Sequence, residues 1–178
     1  DCCGYACATG YYAGRKAADA CDNKEIIDYD ILDVEAEKKR LYAPLYVENG
    51  MHWKELNAAI AKCMQNYCGG IKCEDLLQEG LSLLNTYENE MVPQLSCANP
   101  HDLMRTHEVL DILQVAKMIM QACLFRKSSS DELHFYRSDY PEKDPEQDRC
   151  FITIRQENGK AVRGEISLDY YGDIQTEY

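Results

Sequence analysis

Between Met51 and Phe125 the apolar residues recur at steps of three and four in three successive stretches, and that period constrains the fold more than any other feature. A helix repeats every ~3.6 residues, so such positions share one face, which needs a partner face to leave water. In MHWKELNAAIAKCMQNYCGG the stripe is Trp53, Leu56, Ile60, Met64 and Tyr67, and Gly69-Gly70 ends the helix. DLLQEGLSLLNTYENEMV repeats the pattern through Leu77, Leu81, Leu84 and Met91, until Pro93. A third helix starts at Asn99, with Pro100 in its first turn and Asp102 close behind, and runs to about Phe125. Its later half is apolar on most faces, which predicts the central and most buried helix. Three such helices joined by short loops make an antiparallel bundle, with Trp53 as a core anchor.

The flanks read differently. Ahead of the bundle, EIIDYD reads as an extended segment, and DILDVEAEKKRLYAPL as a short helix capped by Asp30 and stopped by Pro44. Behind it, KSSSDELHFYRSDYPEKDPEQD reads as an ordered surface loop. CFITIRQ and AVRGEISLDYY flank ENGK, whose Asn158-Gly159 pair marks a β-hairpin turn. Arg126, Lys127 and Arg137 crowd the end of the third helix, where cations suit the negative pole. An ion network with Asp139 and Glu142 at a domain interface is the expectation for them. His107 reads as a core histidine bonded to a backbone carbonyl or a carboxylate.

Charge and cysteine usage exclude several classes. Thirty-one acidic residues stand against 19 basic ones, a net charge of −12, which argues against nucleic acid or an anionic membrane surface as partner. No apolar run approaches the length of a membrane span. Ten cysteines are many, yet C-x4-C-x4-C at Cys63, Cys68 and Cys73 and the crowded Cys2, Cys3 and Cys7 match no common zinc or iron–sulfur spacing. Reduced, mostly buried thiols in an anaerobic or cytosolic protein, and no metal site, are the expectation. No Ser-His-Asp arrangement is recognisable, and no residue is assigned a catalytic role.

The opening, DCCGYACATGYYAGRKAADA, has no starting methionine and reads as a small-residue turn running into a helix from Tyr11 to Ala20. Turns of this kind hold phosphates, carboxylates or cofactor edges on unpaired N–H groups, and are normally fed by a strand of an α/β domain.

GYACATGYYAGRKAA resembles the final flavin-contacting turn and helix of the fumarate reductase and succinate dehydrogenase flavoproteins. VEAEKKRLYAPL, the W-K-E start at Trp53, YCGGIKCEDLLQEGLSLL, HDLMRTHEVLDILQVAKMIMQACLFRK, FYRSDYPEKDP and CFITIRQENGK are similar to one branch, the alpha subunit of dissimilatory adenylylsulfate reductase. The resemblance covers nearly the whole chain and implies that it is a C-terminal part. Residues 1–22 would be the remnant of a Rossmann-like FAD domain and 23–50 a linker with a short helix. Residues 51–127 would form the bundle, and 128–178 a surface loop and hairpin tail. The fold class implied is mainly α, a three-helix antiparallel bundle with a C-terminal β-hairpin, preceded by the last turn and helix of the FAD domain.

The same resemblance implies FAD as cofactor, held mostly by residues upstream, with Ala8, Thr9, Gly10 and Tyr11 at the flavin edge. Reduced flavin is negative at its N1–C2=O edge, which a helix N-terminus stabilises, and Gly10 would let the backbone approach. Implied partners are the FAD domain of the same protein and an iron–sulfur electron-transfer subunit. The implied activity passes electrons between a redox partner and a small anionic substrate, the chain alone being inactive. Tyr5 follows Gly4 where the adenylylsulfate branch carries a histidine, and Ser128-Ser129-Ser130 replaces the Ser-Arg-Gly of the fumarate and succinate branch, so both activities stay open. The alternative reading is a helical interaction module that docks a partner and does no chemistry.

Overall fold

A computed structural model describes residues 2–21, 24, 34–158 and 160–171. EIIDYD and the proposed cap Asp30 lie outside them. The chain divides into two compact units, Asp1–Lys39 and Arg40–Tyr178.

In the first unit, helix α1 (Cys2–Cys21) has no buried residue. It corrects the expected turn, because the helix begins at Cys2 rather than Tyr11. CCGYACATG lacks proline, so every N–H in it can join the helical ladder, although Gly4 and Gly10 weaken that helix. Thr9 satisfies its hydroxyl locally, donating to the Tyr5 carbonyl at 2.8 Å.

Helix α2 (Val34–Tyr42) passes into a 3-10 turn, Ala43–Tyr46, rather than stopping at Pro44. Proline fits the first positions of such a turn, where no N–H is required. Pro44 is buried and its carbonyl accepts from the Cys97 N–H at 3.0 Å.

The bundle consists of α3 (Trp53–Tyr67), α4 (Glu74–Thr86) and α5 (Pro100–Phe125), each in contact with the other two. Leu56, Ile60, Leu77, Leu84, Leu113 and Met120 form its centre, with Trp53, Met64, Tyr67, Leu81 and Met91 packed around it. The sequence stripes therefore face inward. Asn99 caps α5 by accepting from the Asp102 N–H at 3.0 Å, and His52 caps α3 through its Nδ1, 3.2 Å from the Lys54 N–H. At Gly80 the other two helices come close. A Cβ there would lie 2.5 Å from the Tyr67 Cβ and 2.8 Å from the Met120 Cε, so only glycine fits this spacing.

Two details differ from the sequence reading. The second helix is regular only to Thr86, then widens into a π turn, Tyr87–Met91, and a 3-10 turn, Val92–Gln94. The π turn carries Glu88, which accepts from Gln114 Nε2 at 2.6 Å and Lys117 Nζ at 2.7 Å on α5. Helix α5 is central, touching both other helices and the hairpin, but it is not enclosed. Thr106, Val109, Leu113, Ala116, Met120 and Cys123 are buried on one face, whereas Ile112, Val115 and Ile119 are 46, 52 and 44% exposed on another.

The stretch read as loop also contributes a strand. Strand β1 (Ile71–Lys72) pairs in parallel with β2 (Tyr136–Arg137), tying the α3–α4 connection to the segment after α5. Strands β3 (Cys150–Glu157) and β4 (Lys160–Ser167) form the expected antiparallel hairpin, with Glu157 opposite Lys160 and Asn158 at a left-handed φ of 50°. The hairpin lies on α5, which provides the support that an isolated hairpin lacks.

Candidate functional site

The densest polar cluster of the second unit forms where α5 ends, and Arg137 is at its centre. Arg137 is only 1% exposed and follows the buried run Ser128-Ser129-Ser130 in sequence. Its Nε and Nη2 donate to the two oxygens of Asp139 at 2.8 and 2.6 Å, a bidentate fork. Nη1 donates to the carbonyls of Cys123 and Arg126, at 2.6 and 3.0 Å, which α5 leaves without helical partners. Asp139 also accepts from the Glu74 N–H at 2.8 Å, at the start of α4. One ion pair thus puts a cation on the negative pole of α5 and an anion on the positive pole of α4.

This geometry fixes the electrostatics. The Arg137 guanidinium holds the Asp139 carboxyl down to about 2, assisted by the Glu74 N–H, while burial opposes the shift. Asp139 in turn raises Arg137 against the cost of its own burial. Ser129 locks the loop from both sides. Its hydroxyl donates to the Tyr140 carbonyl at 2.8 Å and accepts from the Arg137 N–H at 2.9 Å, while its own N–H donates to the Glu142 carbonyl at 3.0 Å.

Arg126, 9% exposed, pairs with Asp148 and stands over the Phe135 ring at 5.7 Å. The sequence reading named Asp139 correctly as a partner, but gave Glu142 a role that falls to Asp148. Arg126, Arg137, Asp139 and Asp148 all belong to the second unit. Lys127 and Arg137 stand over the Tyr140 ring at 5.6 and 5.1 Å. An open groove of about 820 Å³ runs beside the cluster, lined by Ser129, Ser130, Glu132, Tyr136 and Lys143 among others. Its Lys143 pairs with Glu132 at 2.7 Å, so that cation is engaged with an internal carboxylate.

The remaining sequence candidates are placed as follows. His107 presents Nε2 to the Leu41 carbonyl at 2.8 Å, as a donor when that nitrogen carries the proton, which fits a core histidine. Trp53 is half-buried at the edge of the core. Among the described residues, no group of three His, Cys, Asp or Glu side chains is placed to hold a metal ion. Ala8, Thr9, Gly10 and Tyr11 stand within α1, past its first turn, so their N–H groups belong to the helical ladder. A Cβ on Gly10 would meet nothing within 4 Å. In this arrangement the four residues do not fit a flavin edge, which needs free donors. The sequence missed Asp148, the π-turn Glu88 and the β1–β2 pairing. The repeat of Arg and Asp around residues 126–148 was the only signal for the first.

These features define a helical domain whose polar cluster seals helix ends. The chain belongs to the family described as fumarate reductase flavoprotein C-term, which matches residues 57–172. Solved structures share the fold. An adenosine-5-phosphosulfate reductase in complex with sulfite superposes with a TM-score of 0.71 at 24% identity, covering 81% of this chain and 25% of that one. The fumarate reductase subunit FrdA of E. coli gives 0.71 at 18% identity, covering 87% and 28%. Mycobacterium smegmatis Sdh1 gives 0.68 at 19% identity, covering 85% and 25%. At these identities the likeness is one of fold. No curated protein sequence matches the chain. The chain spans about a quarter of the length of the solved structures it matches. No helix among the described residues is long and apolar enough to cross a membrane.

Proposed function

We propose that this chain is the C-terminal part of an FAD-dependent oxidoreductase of the cytoplasm, which passes electrons between a redox partner and a small anionic substrate. An iron–sulfur protein is the partner of choice. Within that enzyme the chain is a support, not a seat of chemistry. The observation that carries this reading is the family match over residues 57–172, joined to two arginines, Arg126 and Arg137, that are each paired with a carboxylate of this same chain. Ile112, Val115 and Ile119, exposed along α5, give the flavin domain an apolar face to rest on.

Residues 1–22 keep the reading of a flavin-domain remnant, with Ala8, Thr9, Gly10 and Tyr11 at the flavin edge. This requires α1 to open ahead of Tyr11 when the rest of the flavin domain is present. Two facts make that opening cheap. No residue of α1 is buried, and Gly4 and Gly10 each weaken a helix by about 1 kcal/mol relative to alanine.

The test compares the chain with its full-length protein. The chain is expected to fold and remain colourless when mixed with FAD, because one helix terminus contributes only about 1 kcal/mol. The full-length protein is expected to purify with flavin absorbance and to oxidise a reduced dye when given fumarate or adenylylsulfate. Stoichiometric flavin on the chain alone, or a full-length protein without flavin, would overturn the reading.

A further inference from the structure

At the end of α3, the Cys68 sulfur lies 3.8 Å from the Cys123 sulfur in the last turn of α5, a contact between residues 55 apart in sequence. We propose that Cys68 and Cys123 form a redox modification site, in which hydrogen peroxide converts the two thiols to a disulfide that joins the ends of α3 and α5.

The surroundings suit the two thiols to different tasks. Cys68 is the C-cap of α3 and is followed by Gly69-Gly70, so its backbone is free of the helical ladder on one side. The sulfurs have to close from 3.8 Å to about 2.05 Å, which a rotamer change at such a position supplies. Cys68 is half-buried, and Cys123 lines a cleft of about 280 Å³ with Arg126, Leu133, Phe135 and Phe151. Peroxide is small enough to enter either way.

Exposure divides the roles. The hydrogen bond that the two thiols share lowers Cys68 to about 7, against its burial, and the Lys72 ammonium helps. The same bond and its own burial push Cys123 up, with Lys72 and Arg137 opposing weakly. Cys68, half-buried where Cys123 is buried, is the thiol that peroxide meets first and so the attacking one, and Cys123 is the resolving thiol. Cys63 does not compete. Its thiol is pushed up by burial and by the neighbouring Cys68, and its sulfur is bonded to the Gly80 carbonyl at 3.5 Å.

The chemistry balances with one oxidant. The Cys68 thiolate attacks a peroxide oxygen, forming an S–O bond as the O–O bond breaks, and the departing hydroxide takes a proton to leave as water. The sulfur has given up two electrons and is a sulfenic acid. Cys123 then attacks that sulfur, the S–S bond forms as the S–O bond breaks, and a second water leaves with the Cys123 proton. Two thiols and one peroxide give one disulfide and two waters. The proposal does not depend on the flavin reading.

The test uses the full chain with the exposed Cys2, Cys3, Cys7 and Cys21 replaced by serine, so that they cannot exchange. After limiting peroxide at neutral pH, the protein is denatured, alkylated and mapped by mass spectrometry. A linked Cys68–Cys123 peptide, lost on treatment with dithiothreitol, is expected to form before any other cysteine is consumed. In Cys123→Ser, Cys68 is expected to be trapped by dimedone as the sulfenic acid. If Cys68 and Cys123 are both still alkylated once Cys73 or Cys150 has been oxidised, the site does not exist. A disulfide from Cys68 to Cys63 or Cys73 would equally overturn the pairing. The unsubstituted chain, mapped in the same way, decides the matter if a variant fails to fold.

Discussion

Arg137 and Asp139 differ in exposure, and that difference predicts an order of severity. The Arg137 side chain is wholly buried, while that of Asp139 is 27% exposed. Asp139→Asn keeps the shape but removes the charge, leaving a guanidinium sealed from water with only carbonyls and an amide to face. An uncompensated buried charge costs about 3–5 kcal/mol. Arg137→Met removes the buried charge itself and lets Asp139 turn to solvent. What remains is the loss of two bonds to the Cys123 and Arg126 carbonyls and of the exposed part of the pair, about 2–3 kcal/mol in all. The aspartate variant is therefore expected to be the less stable by about 1 kcal/mol or more. The double variant should fall short of the sum of the two single losses, since each removes the other's stranded partner. Urea unfolding of the chain, followed by circular dichroism at pH 7, measures all three. If Arg137→Met proves the more damaging, or both cost under about 0.5 kcal/mol, the seal described here is not what holds the helix ends.

Leu113→Ala removes a side chain that is 1% exposed at the centre of the core, and is expected to cost about 2–5 kcal/mol in the same assay. A loss below about 1 kcal/mol would mean that the bundle collapses around the gap. Stability should also fall in acid. Asp139 is held down to about 2 by Arg137, below the ~4 of an unfolded aspartate, so its contribution is full above that value and vanishes as the pH falls through about 2. Melting curves between pH 7 and pH 2 should slope downward below about pH 4, and less steeply in Asp139→Asn; equal slopes would detach the effect from this carboxylate.

The bundle was legible because its signal is local and repeated. Leu56, Ile60, Leu77, Leu84 and Leu113 fall on stripes that any tertiary partner would have to cover, and the Asn99-Pro100 start and Asn158-Gly159 turn carry their own conformational preferences. What escaped depends on distant residues. Nothing in Ile71–Lys72 announces that residues 136–137 will lie beside it, and nothing in Ser128–Ser130 separates a buried run from a solvated one. The unbroken α1 escaped for another reason. The resemblance placed a turn at Ala8–Tyr11, whereas α1 has no buried residue and no proline interrupts its ladder there. Asp148 was passed over for Glu142 because partner choice turns on the path of the loop, not on spacing.

The bond from the Glu74 N–H to Asp139 spans 65 residues, and this sets a schedule for assembly on the ribosome. At synthesis rates of about 5–20 residues per second, the first residue of α4 would be made roughly 3–13 s before its terminal anion. During that interval the first turn of α4 is open to water, β1 lacks its only strand partner among the described residues, and Cys68 has no sulfur facing it. The nascent chain can pair α3 with α4 early, but it cannot close either end of that pair until the segment beyond Phe125 arrives. A pause in translation between α4 and α5 would therefore extend the life of a two-thirds-built bundle with its Leu77–Leu84 face uncovered, the state in which such a chain is most open to capture by a chaperone or by another copy of itself.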